Sequence, residues 1–230
     1  MAAPLSVFRQ YTRDDSFLRV FIPTTIVREY QIALTYARDY DENGAATNGH
    51  FRPTWDQTKV TPEAISKFKK KNPHVTVKVF ISIGNKDTRF PFKPTSDSDV
   101  FVKYISEVIT SLKKDDVITV ASISPSHNLN NDYYVPLYKA YPSIDWVDYQ
   151  FQNEEDTLPD PTKLVNKYKE LAELYTKEKL ISGYSAENED WDTVSPIVFF
   201  LGAMDILKQG GVGFSIVYNN YHKPNSTRNQ

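Results

Sequence analysis

Short apolar runs rich in Val, Ile and Tyr alternate along this chain with longer stretches of helical periodicity, the pattern of repeated β-α units and a parallel sheet. The pattern predicts strands near Ser6–Tyr11, Tyr30–Tyr36, Val75–Ile83, Val117–Ile123, Trp146–Phe151, Lys179–Gly183 and Val212–Val217. Several are almost continuously β-branched, as strands buried on both faces should be. A helix is expected from Pro62 to Lys71, with Thr61 as its cap and Pro at its first position. Others should run from Val100 to Lys114 and from Asp160-Pro161 to about Lys177, the latter with Leu164, Tyr168, Leu171 and Tyr175 on one face. Ser195-Pro196 opens a further helix that is apolar nearly all round from Ile197 to Leu207, which implies deep packing.

Seven strands are one short of a complete (β/α)₈ barrel. Between Gly84 and Val117 the chain offers only a loop and one helix. The expected fold is therefore an α/β barrel of TIM type with its fourth βα unit absent, forming one domain over residues 1–230 with a loose polar tail from 221. A barrel so gapped leaves a seam of strand edges, which predicts either association across it or reduced stability.

Composition narrows the function classes. A net charge of −2 gives no field to draw nucleic acid or an acidic membrane surface, and no apolar run is long enough to cross a bilayer. Lys67, Lys69, Lys70 and Lys71 form a basic run, but at a helix C-terminus, where cations meet the negative end of the dipole. With no cysteine there is no disulfide, thiolate metal site or thiol nucleophile. His50, His74, His127 and His222 have no ligand spacing, so neither a metal nor another cofactor is expected. Ser185 and Ser195 lack the G-x-S-x-G context of a serine hydrolase. Met1–Arg9 has no charged segment followed by an apolar one, so a cytoplasmic protein is expected, and the sequon at Asn225 reads as chance.

Three strand segments carry a family resemblance. Val77-Lys78-Val79-Phe80-Ile81-Ser82-Ile83-Gly84 resembles the third-strand motif of glycoside hydrolase family 18, which ends Ser-x-Gly-Gly, although Asn85 replaces the second glycine. Val120–Ser126 is similar to the fifth strand of that family and Trp146–Phe151 to its sixth. Phe8-Arg9-Gln10-Tyr11 and Ile109–Lys114 fit the subgroup that contains narbonin and the RuBisCO-associated protein. The resemblance spans Phe8 to about Asn220 and implies a chitinase-like barrel.

Its departures bear on activity. Family members carry Asp-x-x-Asp-x-Asp-x-Glu on the fourth strand, whose glutamate protonates the glycosidic oxygen, and no such motif stands between Gly84 and Val117. Losing a general acid removes help worth roughly 10²–10⁴ in rate. The tyrosine that often follows Gln-Phe on strand six is Gln152 here, and Ser215 falls about where strand eight normally places a tryptophan under the sugar. Asp145-Trp146-Val147-Asp148-Tyr149-Gln150-Phe151-Gln152 has the catalytic spacing with amides in its last two acid places, and an amide cannot supply a proton. Strand alternation puts Asp148, Gln150 and Gln152 on one face as a polar barrel lining.

The resemblance thus implies an inactive chitinase relative acting as a plant storage-type protein or docking to a protein such as RuBisCO, with chloroplast association in the latter case. The alternatives are a chitin-oligosaccharide-binding protein without turnover and a weak glycoside hydrolase. A vestigial groove would be built from Asp148, Gln150, Gln152, Tyr184 and Trp191. Tyr133, Tyr134, Tyr138 and Tyr141 crowd one helical segment and read as packing. Glu154-Glu155-Asp156 and Glu187–Asp192 read as solvated loop charge at the barrel's C-terminal face, and Asp39 through His50 as a long polar loop.

Overall fold

Parallel strands cannot be joined by tight turns, so a chain of parallel pairs must cross over through helices or long loops. The computed structural model describes residues 7–20, 22, 27–38, 40–45, 52–83, 92–93, 96–114, 120–141, 144–154, 160–185 and 194–217. Its strands are β1 (Val7–Thr12), β2 (Glu29–Arg38), β3 (Arg52–Pro53), β4 (Thr76–Ile83), β5 (Ser122–Ile123), β6 (Trp146–Gln150), β7 (Leu180–Ser185) and β8 (Gly213–Val217). Seven run parallel in the order β4-β2-β1-β8-β7-β6-β5, and the two-residue β3 adds antiparallel to the C-terminal end of β2. Among the described residues β4 and β5 are the two ends of this order and do not pair with one another. The sheet is an incomplete barrel, open between the strands that flank the expected gap.

The principal helices are α1 (Pro62–Lys71), α2 (Ser98–Lys114), α3 (His127–Leu129), α4 (Val135–Ala140), α5 (Pro161–Leu174) and α6 (Pro196–Lys208). Local chemistry sets their starts. The side chains of Thr61, Asp160 and Ser195 accept from Ala64 N, Thr162 N and Val198 N, each with Pro at the first helical position. Asp97 does the same for Asp99 N and Val100 N, which starts α2 two residues before the expected Val100. Helix α5 ends at Leu174, short of the expected Lys177. Tyr175 leaves the helix with extended backbone, packs edge-on against Tyr138 at 5.1 Å and donates to Asn130 Oδ1. Burial of that ring outweighs one more turn of helix. The first part of the strand expected from Val117, residues 115–119, lies outside the described residues.

Two apolar clusters cover the outer face of the sheet. One joins β5, β6 and β7 to α2, α4, α5 and α6 through residues such as Ile105, Leu137, Val147, Leu171 and Phe199. The other joins β2 to α1 through Tyr30, Ile32, Leu34 and Phe68. Phe8 and Phe214 bridge them, with ring centroids 5.0 Å apart, and Phe8 reaches Tyr30 at 5.5 Å. The tyrosines near 133–141 are packing residues as expected: Tyr133 meets Phe101 edge-on at 5.5 Å.

Two apolar surfaces depart from expectation. Helix α6 is not packed all round: Val198, Phe199, Gly202, Ala203, Ile206 and Leu207 are buried, but Ile197 is 73% exposed and Leu201 55%. On β4, Val79 and Ile81 lie opposite the buried Ile32 and Leu34 of β2, yet Ile81 is 55% exposed. Among the described residues no helix lies over either surface, and a residue facing outward on a barrel is covered only if a helix lies over it. Ile32→Ala should cost about 2–5 kcal/mol, as for a fully buried side chain, whereas Ile81→Ala should change stability by no more than about 0.5 kcal/mol. Urea denaturation checks this, and equal losses at the two positions would mean that the β4 face is covered.

Candidate functional site

Strand alternation turns Arg9 and Tyr11 of β1, Gln31 of β2, Ser122 of β5, Asp148 and Gln150 of β6, Gly183 of β7 and Ser215 of β8 toward the barrel interior. Arg9 is its hub. Its Nε donates to Gln31 Oε1 at 2.7 Å, and its Nη1 donates to Ser122 Oγ at 2.8 Å and Asp148 Oδ2 at 3.2 Å. Its guanidinium carbon lies 5.0 Å from the centre of the Phe80 ring. Gln31 passes the network on to Glu29 at 2.6 Å, which pairs with Lys78 of β4 at 2.7 Å.

Asp148 is the counter-charge and is wholly buried. Besides Arg9, it accepts from Tyr11 OH at 2.6 Å, Ser215 Oγ at 2.6 Å and Gln150 Nε2 at 3.1 Å. Both carboxylate oxygens are thus occupied by fixed donors. Burial alone would lower the Arg9 pKa, but Tyr11 and Asp148 more than offset it and hold the guanidinium above its ordinary value. Burial, and then the Asp148 charge, push the Tyr11 hydroxyl well above the usual phenol range. Chemically this is a charge-balanced plug, in which the buried Arg9 Nη2 has no hydrogen-bond partner among the described residues. It holds no carboxyl group free to reach a glycosidic oxygen.

The residues expected to form a groove separate accordingly. Asp148 and Gln150 do share the inner face, but Gln150 folds back onto Asp148 instead of lining an open cleft. Gly183 makes room for this: a Cβ there would stand 2.3 Å from Gln150 Nε2 and 2.4 Å from Asp148 Oδ1. Gln152 sits in the 3₁₀ turn Phe151–Asn153, buried, with its Oε1 accepting from Ser185 N at 3.2 Å. Tyr184 is no sugar platform. It faces outward, stacks on Phe199 at 4.8 Å and donates to Val194 O at 3.0 Å. Its parity with Gly183 carries that signal, because neighbours on a strand point to opposite faces. Trp191, with the whole of Glu187–Asp192, lies outside the described residues. Ser215, expected only as the replacement for an aromatic floor, is one of the donors that hold Asp148.

Two features escape sequence reasoning. Arg9 stands in a family-like motif without a role of its own, and nothing local marks it, because its partner is 139 positions away. Glu154, expected as solvated loop charge, is only 2% exposed. Tyr149 OH donates to it, with His127 Nδ1 at 3.1 Å and Lys167 Nζ at 3.8 Å. A buried carboxylate needs such partners, and Glu155 and Asp156 lie outside the described residues. His74 is exposed, and among the described residues no group of acidic and imidazole side chains could hold a metal ion. Asp145 is also structural: it joins Lys113 of α2 at 2.9 Å to the backbone N–H of Ala121 at 2.9 Å.

Two measurements check this electrostatic picture. Asp148→Ala should cost about 3–5 kcal/mol by leaving a buried guanidinium uncompensated, and the double variant Arg9→Met/Asp148→Leu should cost less than that single change. A double variant less stable than Asp148→Ala in urea denaturation would refute the pairing. The second concerns pH. Burial raises Tyr168 to about 12 and raises Tyr11 and Tyr149 as well. In the unfolded chain these phenols ionise near about pH 10. Above that pH the unfolded state loses protons that the folded state keeps, so stability present below about pH 10 is lost as pH rises further. Urea midpoints, followed together with phenolate absorbance, should show ionisation coupled to unfolding.

No family model matches the chain. It is 34% identical to the RuBisCO-associated protein of Glycine max, over 92% of this chain and 89% of the relative. That alignment runs over 261 positions, more than the 230 residues present here, so the relative has residues with no counterpart in this chain. It is also 24% identical to chitinase 1 of Tulipa saxatilis subsp. bakeri, over 89% of this chain and 77% of that one. Among solved structures, the catalytic domain of a family GH18 chitinase from the fern Peteris ryukyuensis superposes with a TM-score of 0.72 at 24% identity, covering 92% of this chain and 91% of the other. With the open barrel and its strand order, these similarities place the fold among the chitinases. The chain belongs to the family of the RuBisCO-associated protein, with the fold of the family GH18 chitinases.

Proposed function

We propose that this chitinase-like protein is not a hydrolase and serves as a protein-docking or storage-type protein. The observation that carries the reading is the state of Asp148, the carboxylate that the decoy of the catalytic spacing keeps on the barrel's inner face. It is fully buried, ion-paired to Arg9 and bonded to three further donors. Such a group cannot approach a leaving-group oxygen without breaking the interior network. The Asp-x-x-Asp-x-Asp-x-Glu sequence occurs nowhere in the 230 residues, and a hydrolase that uses the substrate's acetamido group as nucleophile depends on that one acid. For the docking role, the support is the name of the soybean relative, which points to RuBisCO as the partner to test.

The test is calorimetric titration of the chain with N-acetylglucosamine oligomers, with product analysis of the same samples. Neither binding heat nor shortened oligomers are expected. Oligomer cleavage that disappears in Asp148→Asn would restore the hydrolase reading, and binding without cleavage would make the chain a lectin-like protein. Purified RuBisCO titrated against the chain addresses docking separately: saturable binding supports it, and its absence leaves storage.

A further inference from the structure

Helix α1 turns Phe68, with Ala64 and Ile65 beside it, into the smaller apolar cluster over β2. The rest of the helix faces solvent. Four of its ten residues are lysines, Lys67, Lys69, Lys70 and Lys71, and all four are exposed. Set against Glu63, they give α1 a charge of +3, while the rest of the chain, with 23 bases and 28 acids, carries −5. The net charge of −2 conceals this division.

Folding does not account for such a density of cations. A cation in the last turn answers the negative end of the helix dipole. Lys67, however, precedes Lys70 and Lys71 by three and four positions, spacings at which like charges repel and weaken a helix. Nor does the fold neutralise the group. Lys59 and Lys78, on either side of α1 in the chain, pair with Asp56 at 3.4 Å and Glu29 at 2.7 Å. Among the described residues, none of the four lysines of α1 has such a partner. The undescribed residues that flank β2 and β4 in sequence, 21, 23–26, 39, 46–51, 84–91 and 94–95, hold two acids, Asp39 and Asp87, and two bases, Lys86 and Arg89. They bring no net charge to offset the patch. Lys67 and Lys70 also line a shallow, open depression of about 540 Å³ with Pro62, Glu63 and Ser66.

We propose that the lysine face of α1 is a docking surface for a short acidic segment of a partner protein. The inference rests on the docking reading above and names the surface that reading requires. Charge complementarity selects the partner. The four lysines start within about 6 Å of one another along the helix axis, less than the roughly 8 Å over which charges act at physiological salt. A run of aspartate or glutamate side chains therefore meets them as one field. Size disfavours larger polyanions. A duplex or a lipid surface extends past the ten residues of α1 and meets the negative charge carried by the rest of the chain. Composition agrees: α1 has no arginine to grip a phosphate with two bonds, and its one ring, Phe68, is buried and unable to stack on a base.

The experiment is a titration of fluorescein-labelled deca-glutamate with the full chain at about 0.15 M salt, read by anisotropy. It compares wild type with the triple variant Lys67→Glu/Lys70→Glu/Lys71→Glu. The control is Lys163→Glu/Lys169→Glu, at exposed lysines of α5. All five sites are exposed, so circular dichroism and thermal midpoint should stay as in wild type. The expected result is saturable binding by wild type and control, weaker by roughly tenfold or more in the triple variant, as the loss of three exposed ion pairs would give. A wild type that does not saturate, or a triple variant that binds as wild type does, overturns the proposal. So does a control as weak as the triple variant, which would make the attraction diffuse. Tighter binding of phosphatidylserine vesicles or a DNA duplex than of the peptide overturns it too, by assigning the face to phosphates. The RuBisCO titration separates the two readings. Peptide binding without RuBisCO binding supports the face and removes RuBisCO as its partner. RuBisCO binding that the triple variant retains upholds docking and overturns this face as its surface.

Discussion

The curl of this sheet depends on the ion pair between Arg9 and Asp148. A closed barrel is held by an unbroken circle of backbone hydrogen bonds, and here the circle is open between β4 and β5 among the described residues. What remains is contact across the interior. Arg9 on β1 reaches Gln31 on β2, Ser122 on β5 and Asp148 on β6. Tyr11 and Ser215 add β1 and β8 to the same carboxylate. A buried ion pair is seldom a net gain over apolar packing, because desolvation offsets its attraction. It is, however, specific in direction and distance, which an apolar filling of the same volume would not be. Once both charges are inside, each holds the other there, and the strands that carry them can neither flatten nor slip.

The division between what the sequence reveals and what it hides follows the range of the interactions. Six of the seven parallel strands are legible within two residues, because buried strands are apolar almost continuously; of the fifth, expected from Val117, the described residues form strand only at Ser122–Ile123. Helix starts at Thr61-Pro62, Asp160-Pro161 and Ser195-Pro196 are legible because a cap and a first-turn proline act within a few residues. The family and the gap in the barrel are legible from the order of three strand motifs. The cross-strand network is not, since no local pattern ties Arg9 to a carboxylate 139 residues later. Composition misassigns Tyr184, although strand parity beside Gly183 places it in the outer core with Phe199. The end of α5 is hidden because tertiary packing of Tyr175 decides it, not helix propensity.

The same carboxylate bears on how far the chitinase resemblance carries. A general acid must be partly free: it gives its proton away and recovers it in each cycle. A structural carboxylate is the reverse, with both oxygens held by fixed donors. Asp148 meets the second description with an ion pair and three other donors. A shared fold therefore says little about shared chemistry here, because function resides in the site and not in the barrel.

An incomplete barrel also moves stability to its surface. Where no described element lies over it, the repeating pattern leaves apolar side chains exposed, and this happens twice, at Ile81 on β4 and along Ile197, Leu201 and Met204 on α6. The two exposures differ in kind. At β4 the apolar residues alternate with polar Lys78 and Ser82 along an edge whose inner side is tied into the charged network through Lys78 and Glu29. On α6 the exposed residues are contiguous, unbranched by any charge and carried by a helix whose other face is anchored in the larger core. The sequence pattern suggested a helix packed on all sides, and the structure buries only the face of it that carries Val198, Phe199, Gly202, Ala203, Ile206 and Leu207.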